Sequence, residues 1–304
     1  MRELLQAVPG EVLAKFYGCG SPLPLGIVGL KVLDLGCGSG RDCYVCSALV
    51  GESGSVLGLD MTAEQLKVAE EHVGEFSRSL GYSKPNMRFV KGLIEYLDEA
   101  GILDASVDLV ISNCVVNLSP DKPRVLQEVF RVLADGGEFY FSDVYCDRRL
   151  PLSVTSHEVL WGECIAGAMY VQDFVREASK AGFLDARVVS MSPVRVEDPK
   201  LLKVVGSAKF YSITYRLFKL PGLLEPTQED YGQLVTYKGT IEEQEQTYAL
   251  DNQHKFETGK LQAVSGNTAA ILKDSWLSQH FKVMGDQRTH YGSAGDPALA
   301  KELA

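Results

Sequence analysis

A short glycine-rich stretch, DLGCGSGRDC at residues 34–43, combines the residue types of a ligand-binding loop with two cysteines. It follows the apolar run KVLDL and precedes an apolar-periodic stretch that ends at Val50. Glycines between a strand and a helix permit a tight turn and the close approach of a ligand, and the helix N-terminus presents free N–H groups. The stretch therefore predicts a cofactor loop at a strand–helix junction.

The spacing of the glycines argues against a dinucleotide site. Dinucleotide-binding loops have the pattern GxGxxG, whereas the pattern here is GxGxG, with Arg41 at the position of the third glycine. Asp60 ends the next apolar run, twenty residues after the last glycine of the loop, where a carboxylate can accept both hydroxyls of a ribose. Asp60 could instead cap the following helix, although Thr62 is better placed for that role.

The elements that must position these residues alternate in type along the chain. Apolar runs predict strands at 31–35, 55–59, 87–90, 108–111, 136–144, 186–189 and 209–219, and helical spacing predicts helices at 63–79, 121–133 and 171–182. Strands that alternate with helices indicate a parallel sheet covered on both faces. The rhythm ends after Pro221. We predict an α/β fold with a doubly wound sheet over residues 1–222 and a smaller α+β domain over 223–304.

The composition excludes several classes of protein. The 304 residues carry a net charge of −10, unlike the basic surface that sequence-independent nucleic-acid binding requires. No apolar run approaches the about 18 residues of a membrane span, and the first twenty residues carry charges that a signal peptide would lack. The seven cysteines are odd in number. We expect a cytoplasmic monomer with reduced cysteines and with neither nucleic acid nor membrane as a partner.

The motifs, taken together, resemble those of the arsenite methyltransferases, a family of class I enzymes that use S-adenosylmethionine. The form DxGxGxG resembles motif I of class I methyltransferases. The segments that carry the family resemblance are FYGCG (16–20), LDLGCGSGRDCYV (33–45), GLDMT (58–62), SNCVVNL (112–118), LADGGEFYFSDVY (133–145), LWGEC (160–164), YRLFK (215–219) and TAAILKDS (268–275). The joint occurrence of GSGRDCYV and LWGEC is the most specific part. The resemblance implies a Rossmann-like fold, S-adenosylhomocysteine as product and a small-molecule acceptor.

The resemblance also implies the residues of the cofactor site. They are Asp34, Gly36, Cys37, Gly38, Gly40, Arg41, Asp60, Met61, Gln65, Leu93, Ile94, Glu95, Asn113, Val115 and Asn117. Within this set we expect Asp60 to bind the ribose, Met61 to lie against the adenine and residues 93–95 to cap it. Asn113 and Asn117 follow the fourth strand, where open α/β sheets bind ligands, so one of them could contact the substrate instead.

Cysteine thiolates are the implied ligands of the acceptor, because trivalent arsenic is thiophilic. The family's key cysteines map onto Cys43 and Cys164, which we predict as catalytic residues and arsenic ligands. Cys43 could also be a redox partner that forms a transient disulfide, or a buried cysteine beneath the loop. A further family cysteine is Ala208 here, so Cys19 or a small thiol could complete the site, and Cys114 lies near it. A thiol reductant, glutathione or thioredoxin, is implied as well.

Two alternatives stay open. With Ala208 in place of a thiol, the pocket could serve another soft acceptor, such as selenide, a thiol, or a thioether acid that gives a sulfonium. A metalloid-binding paralogue without activity would keep the same fold, although the intact cofactor motifs argue against it. We therefore predict an S-adenosylmethionine-dependent methyltransferase of the arsenite type, which would serve in arsenic detoxification.

Overall fold

The structure, a computed structural model, describes residues 7–14 and 22–294. One large sheet dominates it. The eight strands of this sheet are β1 (Lys31–Leu35), β2 (Ser55–Asp60), β3 (Met87–Lys91), β4 (Val107–Asn113), β5 (Leu133–Cys146), β6 (Met169–Tyr170), β7 (Ala186–Val194) and β8 (Phe210–Phe218). Seven of them pair in the order β3-β2-β1-β4-β5-β8-β7, and β6 pairs with β5. The strand that precedes the glycine loop, β1, is therefore central in the sheet.

Helices cover both faces of the sheet. The described α-helices are α1 (Gly10–Ala14), α2 (Arg41–Val50), α3 (Ala63–Glu71), α4 (Val73–Ser79), α5 (Lys122–Val132), α6 (Leu152–Thr155), α7 (Glu158–Gly162), α8 (Val171–Ala181), α9 (Pro199–Val205) and α10 (Gly266–Asp274). Successive side chains of a strand point to opposite faces. Accordingly Leu33 shares a core cluster with residues of α5 and α8, whereas Val32 shares another with residues of α2 and α4. This arrangement confirms the predicted doubly wound fold.

Two details differ from the sequence prediction. Strands β1 to β5 are parallel, but β8 is antiparallel to both β5 and β7. The chain continues from β7 through the short helix α9 and enters the sheet between β5 and β7 in the opposite direction. The predicted helix 63–79 is divided at His72, where the following Gly74 weakens helix propensity.

The residues after β8 form smaller sheets around a core of their own. Their strands are β9 (Glu229–Asp230), β10 (Leu234–Tyr237), β11 (Thr247–Ala249), β12 (Lys255–Glu257), β13 (Leu261–Ala263), β14 (Phe281–Met284) and β15 (Gly292–Ser293). Tyr237, Tyr248 and Phe256 are buried in this core. The domain boundary at residue 222 stays a prediction. None of the described helices is long and apolar enough to cross a bilayer.

A buried polar network fixes the C-terminal part onto the large sheet. Arg216 of β8 donates to Glu138 of β5 at 2.5 Å and 3.0 Å and to the hydroxyl of Tyr248 at 2.7 Å. Trp276 Nε1 donates to the same glutamate at 2.8 Å. Buried charges need such complete pairing. The network therefore holds the C-terminal part against β5 and β8, two strands that extend to the site.

Candidate functional site

The glycine loop is shaped by its backbone. Gly36, Gly38 and Gly40 have φ angles of 68°, 54° and 90°, which L-residues with a side chain avoid. The N–H group of Gly36 donates to the carbonyl of Leu59 at 2.8 Å. A methyl group on Gly36 would lie 2.4 Å from a methyl carbon of Val115. The loop therefore passes directly against the residues that follow β4, and glycine is required there.

The carboxylate of Asp60 connects the loop to the next helix. Its Oδ2 accepts the N–H of Gly38 at 2.9 Å, and its Oδ1 accepts the N–H of Thr62 at 2.8 Å. Thr62 is the N-cap residue of α3, as expected, although its side chain makes no capping hydrogen bond. Two backbone donors orient the carboxylate at the carboxyl end of β2. Ribose binding by Asp60 stays a prediction.

A cavity of about 500 Å³ opens beside the loop, within the usual range of ligand sites. Seven predicted cofactor residues line it: Gly36, Asp60, Met61, Leu93, Ile94, Glu95 and Val115. Met61 is 65% exposed and forms part of the outer wall. Glu95 is buried, its Oε1 accepts a hydrogen bond from the hydroxyl of Ser119, and its carbonyl accepts one from Arg124 at 2.7 Å. This wall is thus held by hydrogen bonds from the segment after β4.

The other predicted cofactor residues do not line the cavity. They are Asp34, Cys37, Gly38, Gly40, Arg41, Gln65, Asn113 and Asn117. Arg41 Nε and Asn113 Nδ2 both donate to the carboxylate of Asp42, at 2.8 Å and 3.1 Å, and so brace the start of α2. Gln65 Oε1 is buried and accepts no hydrogen bond from the described residues. Such an orphaned acceptor suits a ligand that brings a donor.

The sequence analysis missed the segment at residues 118–121, although it lines the same cavity. Its sequence is LSPD, and it begins five residues after the last residue of β4. Ser, Pro and Asp together indicate a turn, and a turn at the carboxyl end of a central strand is where open α/β sheets bind ligands. That combination could have identified the segment.

Cys43 lies beneath the loop at the start of α2. Its thiol donates to Asp34 Oδ2 at 3.2 Å, and it also hydrogen-bonds with the thiol of Cys37. Burial raises the pKa of Asp34 to about 8, with a further increase from the nearby Asp42. Burial likewise raises the pKa of the Cys43 thiol well above its ordinary value. These contacts describe a neutral thiol in the core, which is one of the three roles predicted for it, and a role as ligand stays a prediction.

Cys164 lies in a different cluster of buried residues, which also contains Cys114 and Cys146. Its thiol donates to the carbonyl of Cys114 at 3.3 Å. Burial raises the pKa of Cys164 to about 12, Asp143 and Glu163 add to the increase, and Lys122 opposes it. The structure therefore brings Cys164 next to Cys114 and under the electrostatic influence of a pair of ionisable residues, Asp143 and Lys122, which the sequence did not indicate.

Asp143 is the buried acidic residue of this pair. Its carboxylate accepts the backbone N–H groups of Asn117 at 2.9 Å and Val144 at 2.8 Å, and burial raises its pKa to about 7. The side-chain amide of Asn117 donates to the carbonyls of Val144 and Cys164, at 2.5 Å and 3.4 Å. Asn117 therefore ties the segment after β4 to the segment that carries Cys164. A charged residue within the apolar run of β5 could have indicated this position.

Lys122 is the cation of the pair. Its Nζ donates to the carbonyl of Ser119 at 2.9 Å and lies 5.5 Å from the ring centre of Trp161. Burial lowers its pKa, while interactions with Asp143, Cys164 and Glu95 oppose that change. Lys122 thus stands between the wall of the cavity and the thiol of Cys164.

Cys114 is disulfide-bonded, whereas the five other described cysteines are free. This differs from the expectation that every cysteine is reduced, which rested on composition and could not show which sulfurs are neighbours. Cys19 lies outside the described residues. Ala208 packs against the same cluster as Cys164. Over the described residues, the one group of three His, Cys, Asp or Glu that could share an ion contains no cysteine.

Comparisons with known proteins identify the family. A family model described as "Methyltransferase domain" matches residues 28–191, and one described as "Arsenite methyltransferase C-terminal domain" matches residues 231–302. An arsenite methyltransferase from Aquipseudomonas alcaligenes is 50% identical, over 96% of this chain and 84% of that protein. The arsenite methyltransferase from Homo sapiens is 44% identical, over 93% of this chain and 74% of that protein.

The fold agrees with these matches. The crystal structure of an arsenic(III) S-adenosylmethionine methyltransferase from Chlamydomonas reinhardtii superposes with a TM-score of 0.94 at 57% identity, covering 97% of this chain and 98% of that one. The likeness extends through both the large sheet and the C-terminal sheets, and it confirms the resemblance inferred from the motifs. The chain belongs to the arsenite methyltransferase family.

Proposed function

We propose that this chain transfers the methyl group of S-adenosylmethionine to trivalent arsenic that is held on cysteine thiolates. The observation that carries the proposal is the position of Cys164. Its buried thiol contacts the carbonyl of Cys114, and the next residue, Val115, lines the cofactor cavity. The thiol of Cys164, a soft ligand for arsenic, therefore contacts the residue next to one that lines the cavity.

S-Adenosylmethionine is the methyl donor, in agreement with the methyltransferase family. The cavity beside the glycine loop suits it, because Asp60 lines the cavity and two backbone N–H groups orient its carboxylate. We propose that Asp60 takes the ribose hydroxyls, that Met61 covers the adenine and that residues 93–95 cap it. When bound, the cofactor supplies an electrophilic methyl group on a sulfonium.

The protein's own contribution is to hold the acceptor. Thiolate sulfur is a preferred ligand of soft ions, and thiolates leave the lone pair of trivalent arsenic free to attack. Rigid positioning of the two reactants supplies much of the rate enhancement in such a displacement. Cys164 is the principal ligand in this proposal, and Cys43 stays a competing candidate for the second. A thiol of the glutathione or thioredoxin type would keep these cysteines reduced.

Four further expectations stay proposals. We expect a monomer that acts in the cytoplasm as part of arsenic detoxification, with the small C-terminal domain beginning near residue 223. The alternative acceptors, selenide, a thiol or a thioether acid, are not favoured by the comparisons, since the relatives of 44–50% identity are arsenite methyltransferases.

A screen with methyl-labelled S-adenosylmethionine tests the proposal. Reduced wild-type protein should transfer label to arsenite and not to selenide or a thioether acid, and Cys164→Ser should abolish the transfer. Cys46→Ser is a matched control, because Cys46 is a free, fully buried cysteine within α2. Equal labelling of arsenite by wild type and Cys164→Ser would contradict the assigned ligand, and labelling of another acceptor alone would contradict the assigned substrate.

A further inference from the structure

We infer that Asn117 is a positioning residue, which holds the turn that carries Cys164 at a fixed place relative to the cofactor cavity. The inference rests on the proposed function and deepens its acceptor side. Asn117 is 2% exposed and lies in the short 3-10 helix Val116–Leu118, which begins three residues after β4 ends. The family resemblance placed Asn117 among the cofactor residues, whereas its side-chain amide reaches the carbonyl of Cys164.

The side-chain amide of Asn117 bridges two separate segments. Its Nδ2 donates to the carbonyl of Val144 in β5 at 2.5 Å and to the carbonyl of Cys164 at 3.4 Å. An amide nitrogen carries two hydrogens, so one side chain can serve both carbonyls. The backbone N–H of Asn117 donates to the carboxyl of Asp143 at 2.9 Å. Two of these hydrogen bonds fix Asn117 to β5, and the third extends that anchor to the turn of Cys164.

The turn of Cys164 needs an attachment of this kind. Cys164 has a φ angle of 58°, a left-handed conformation that costs free energy and persists where the surroundings impose it. The N–H groups of Cys164 and Ile165 donate to the carbonyls of Trp161 and Leu160, at 3.0 Å and 2.9 Å. These bonds lie within the segment, so they shape the turn without attaching it to the sheet. The bond from Asn117 provides such an attachment.

The packing at Gly167 is a second, independent sign of the same contact. A methyl group on Gly167 would overlap the backbone carbonyl of Asn117. Only a residue without a side chain lets the backbone after Cys164 come this close. The turn is therefore held against Asn117 by backbone packing as well as by the side-chain amide.

The same short segment also borders the cofactor cavity. Val115, Leu118 and Ser119 line that cavity, whereas Asn117 does not. One stretch of five residues thus forms a wall for the methyl donor and anchors the turn of the acceptor thiol. Because a displacement of about 1 Å between reactants can lower a rate about 100-fold, Asn117 should act on kcat through the position of Cys164 and not on the affinity for the cofactor.

Two variants of Asn117 test this role. Asn117→Leu removes the donors at similar volume, and Asn117→Asp removes them and adds a charge. Both should lower kcat for arsenite methylation by about 100-fold, while the dissociation constant of S-adenosylhomocysteine, measured by calorimetry, changes by less than about threefold. Asn86→Leu is the matched control, because the amide of Asn86 also donates to two backbone carbonyls, those of Ser47 and Gly51, at 3.0 Å and 2.8 Å. It should lower the melting temperature and leave kcat unchanged.

Gly167→Ala tests the same contact without changing Asn117, and it keeps the inference testable if the Asn117 variants do not fold. The added methyl group should displace the turn and lower kcat as the Asn117 variants do. Gly162→Ala is its control, since a methyl group there would meet no atom within 4 Å, and its kcat should equal that of wild type.

Hydrogen exchange of the amides at 160–168, followed by mass spectrometry, measures the turn itself. Exchange should be faster in both Asn117 variants and in Gly167→Ala, and unchanged in Asn86→Leu. Wild-type kcat in folded Asn117→Leu overturns the inference, and so does a loss confined to Asn117→Asp, which would be an effect of charge. A loss of cofactor affinity as large as the loss of kcat would assign Asn117 to the cofactor instead. If wild type methylates no arsenite, the proposed function fails, whereas faster exchange in the Asn117 variants still supports the anchoring role.

Discussion

Two buried thiols, Cys43 and Cys164, occupy different electrostatic settings in the same protein. The thiol of Cys43 contacts the carboxyl of Asp34, and burial and this neighbour both raise its pKa. Burial, Asp143 and Glu163 raise the pKa of Cys164 to about 12, but a cation, Lys122, opposes part of that increase. A thiolate, which is the form that binds metals, is stabilised by a nearby cation. The difference indicates that Cys164 is suited to binding a soft ion and that Cys43 is suited to supporting the loop.

Their neighbours lead to the same conclusion. Cys43 belongs to the cluster that packs α2 against the sheet, together with Tyr44 and Val45. Cys164 belongs to the cluster with Cys114, on the segment that follows α7. A cysteine inside a helix–sheet core cannot admit a ligand without disturbing the packing. A cysteine on a turn between two segments can do so at lower cost.

The largest expected effect separates these two thiols. Cys164→Ser should lower methyl transfer to arsenite by at least about 100-fold, because the chelate that binds the acceptor loses one arm. Cys43→Ser should lower the rate by less than about tenfold. The serine hydroxyl can still donate a hydrogen bond to Asp34, and the exchange of sulfur for oxygen is a modest change in the core. Initial rates with labelled cofactor measure both. The opposite ranking would restore Cys43 as the ligand.

The second effect concerns the cofactor. Asp60→Ala should weaken the binding of S-adenosylhomocysteine by about 100-fold, because two hydrogen bonds to a charged acceptor that shape the loop are lost. Glu64→Ala is a matched control, since this exposed acidic residue lies in the first turn of α3, the helix that follows Asp60. Titration calorimetry gives both dissociation constants. Equal affinities in the two variants would show that Asp60 does not organise the site.

The sequence could predict the cofactor side of the site better than the thiol side, for a physical reason. Gly36 and Asp60 are at the ends of adjacent strands, so local patterns and the geometry of a parallel sheet place them together. The contact between Cys114 and Cys164 depends on how the segment after β5 folds back over 50 residues. No local pattern specifies that path, and the pairing of Cys164 with Cys43 was implied by the family resemblance alone. The family resemblance identified Cys164, but only the three-dimensional structure shows which residues surround its thiol.

A third effect tests the cation directly. Lys122→Met should raise the pKa of Cys164 and slow its alkylation by iodoacetamide about tenfold near neutral pH, the equivalent of one pKa unit. The charged groups that act on Cys164 are Lys122, Asp143 and Glu163, and only the first favours the thiolate. Lys122→Arg keeps the charge and should retain most of the reactivity. Peptide mass spectrometry across a pH series measures the rates, and identical profiles for Lys122→Met and wild type would exclude this role.

The smallest effect concerns stability on the loop side. Asp34 has its pKa raised to about 8 by burial, so below pH 4 its carboxyl is neutral in both the folded and the unfolded chain. Between about pH 4 and pH 8 the unfolded chain loses the proton while the folded protein keeps it, and the free energy of unfolding falls as the pH rises. Asn at this position cannot ionise and can still accept the hydrogen bond from the Cys43 thiol.

Asp34→Asn should therefore stabilise the cofactor-free protein by about 1 kcal/mol at pH 8, and the gain should shrink toward pH 4. Urea unfolding at several pH values measures it. Asp108→Asn serves as control, because Asp108 lies in the neighbouring strand β4 and accepts a hydrogen bond from an exposed backbone N–H of Lys31. A gain that is the same at pH 5 and pH 8 would mean that Asp34 is ionised in the folded protein. Cys43 would then be next to a carboxylate, which could accept its proton, and the contrast between the two thiols would weaken.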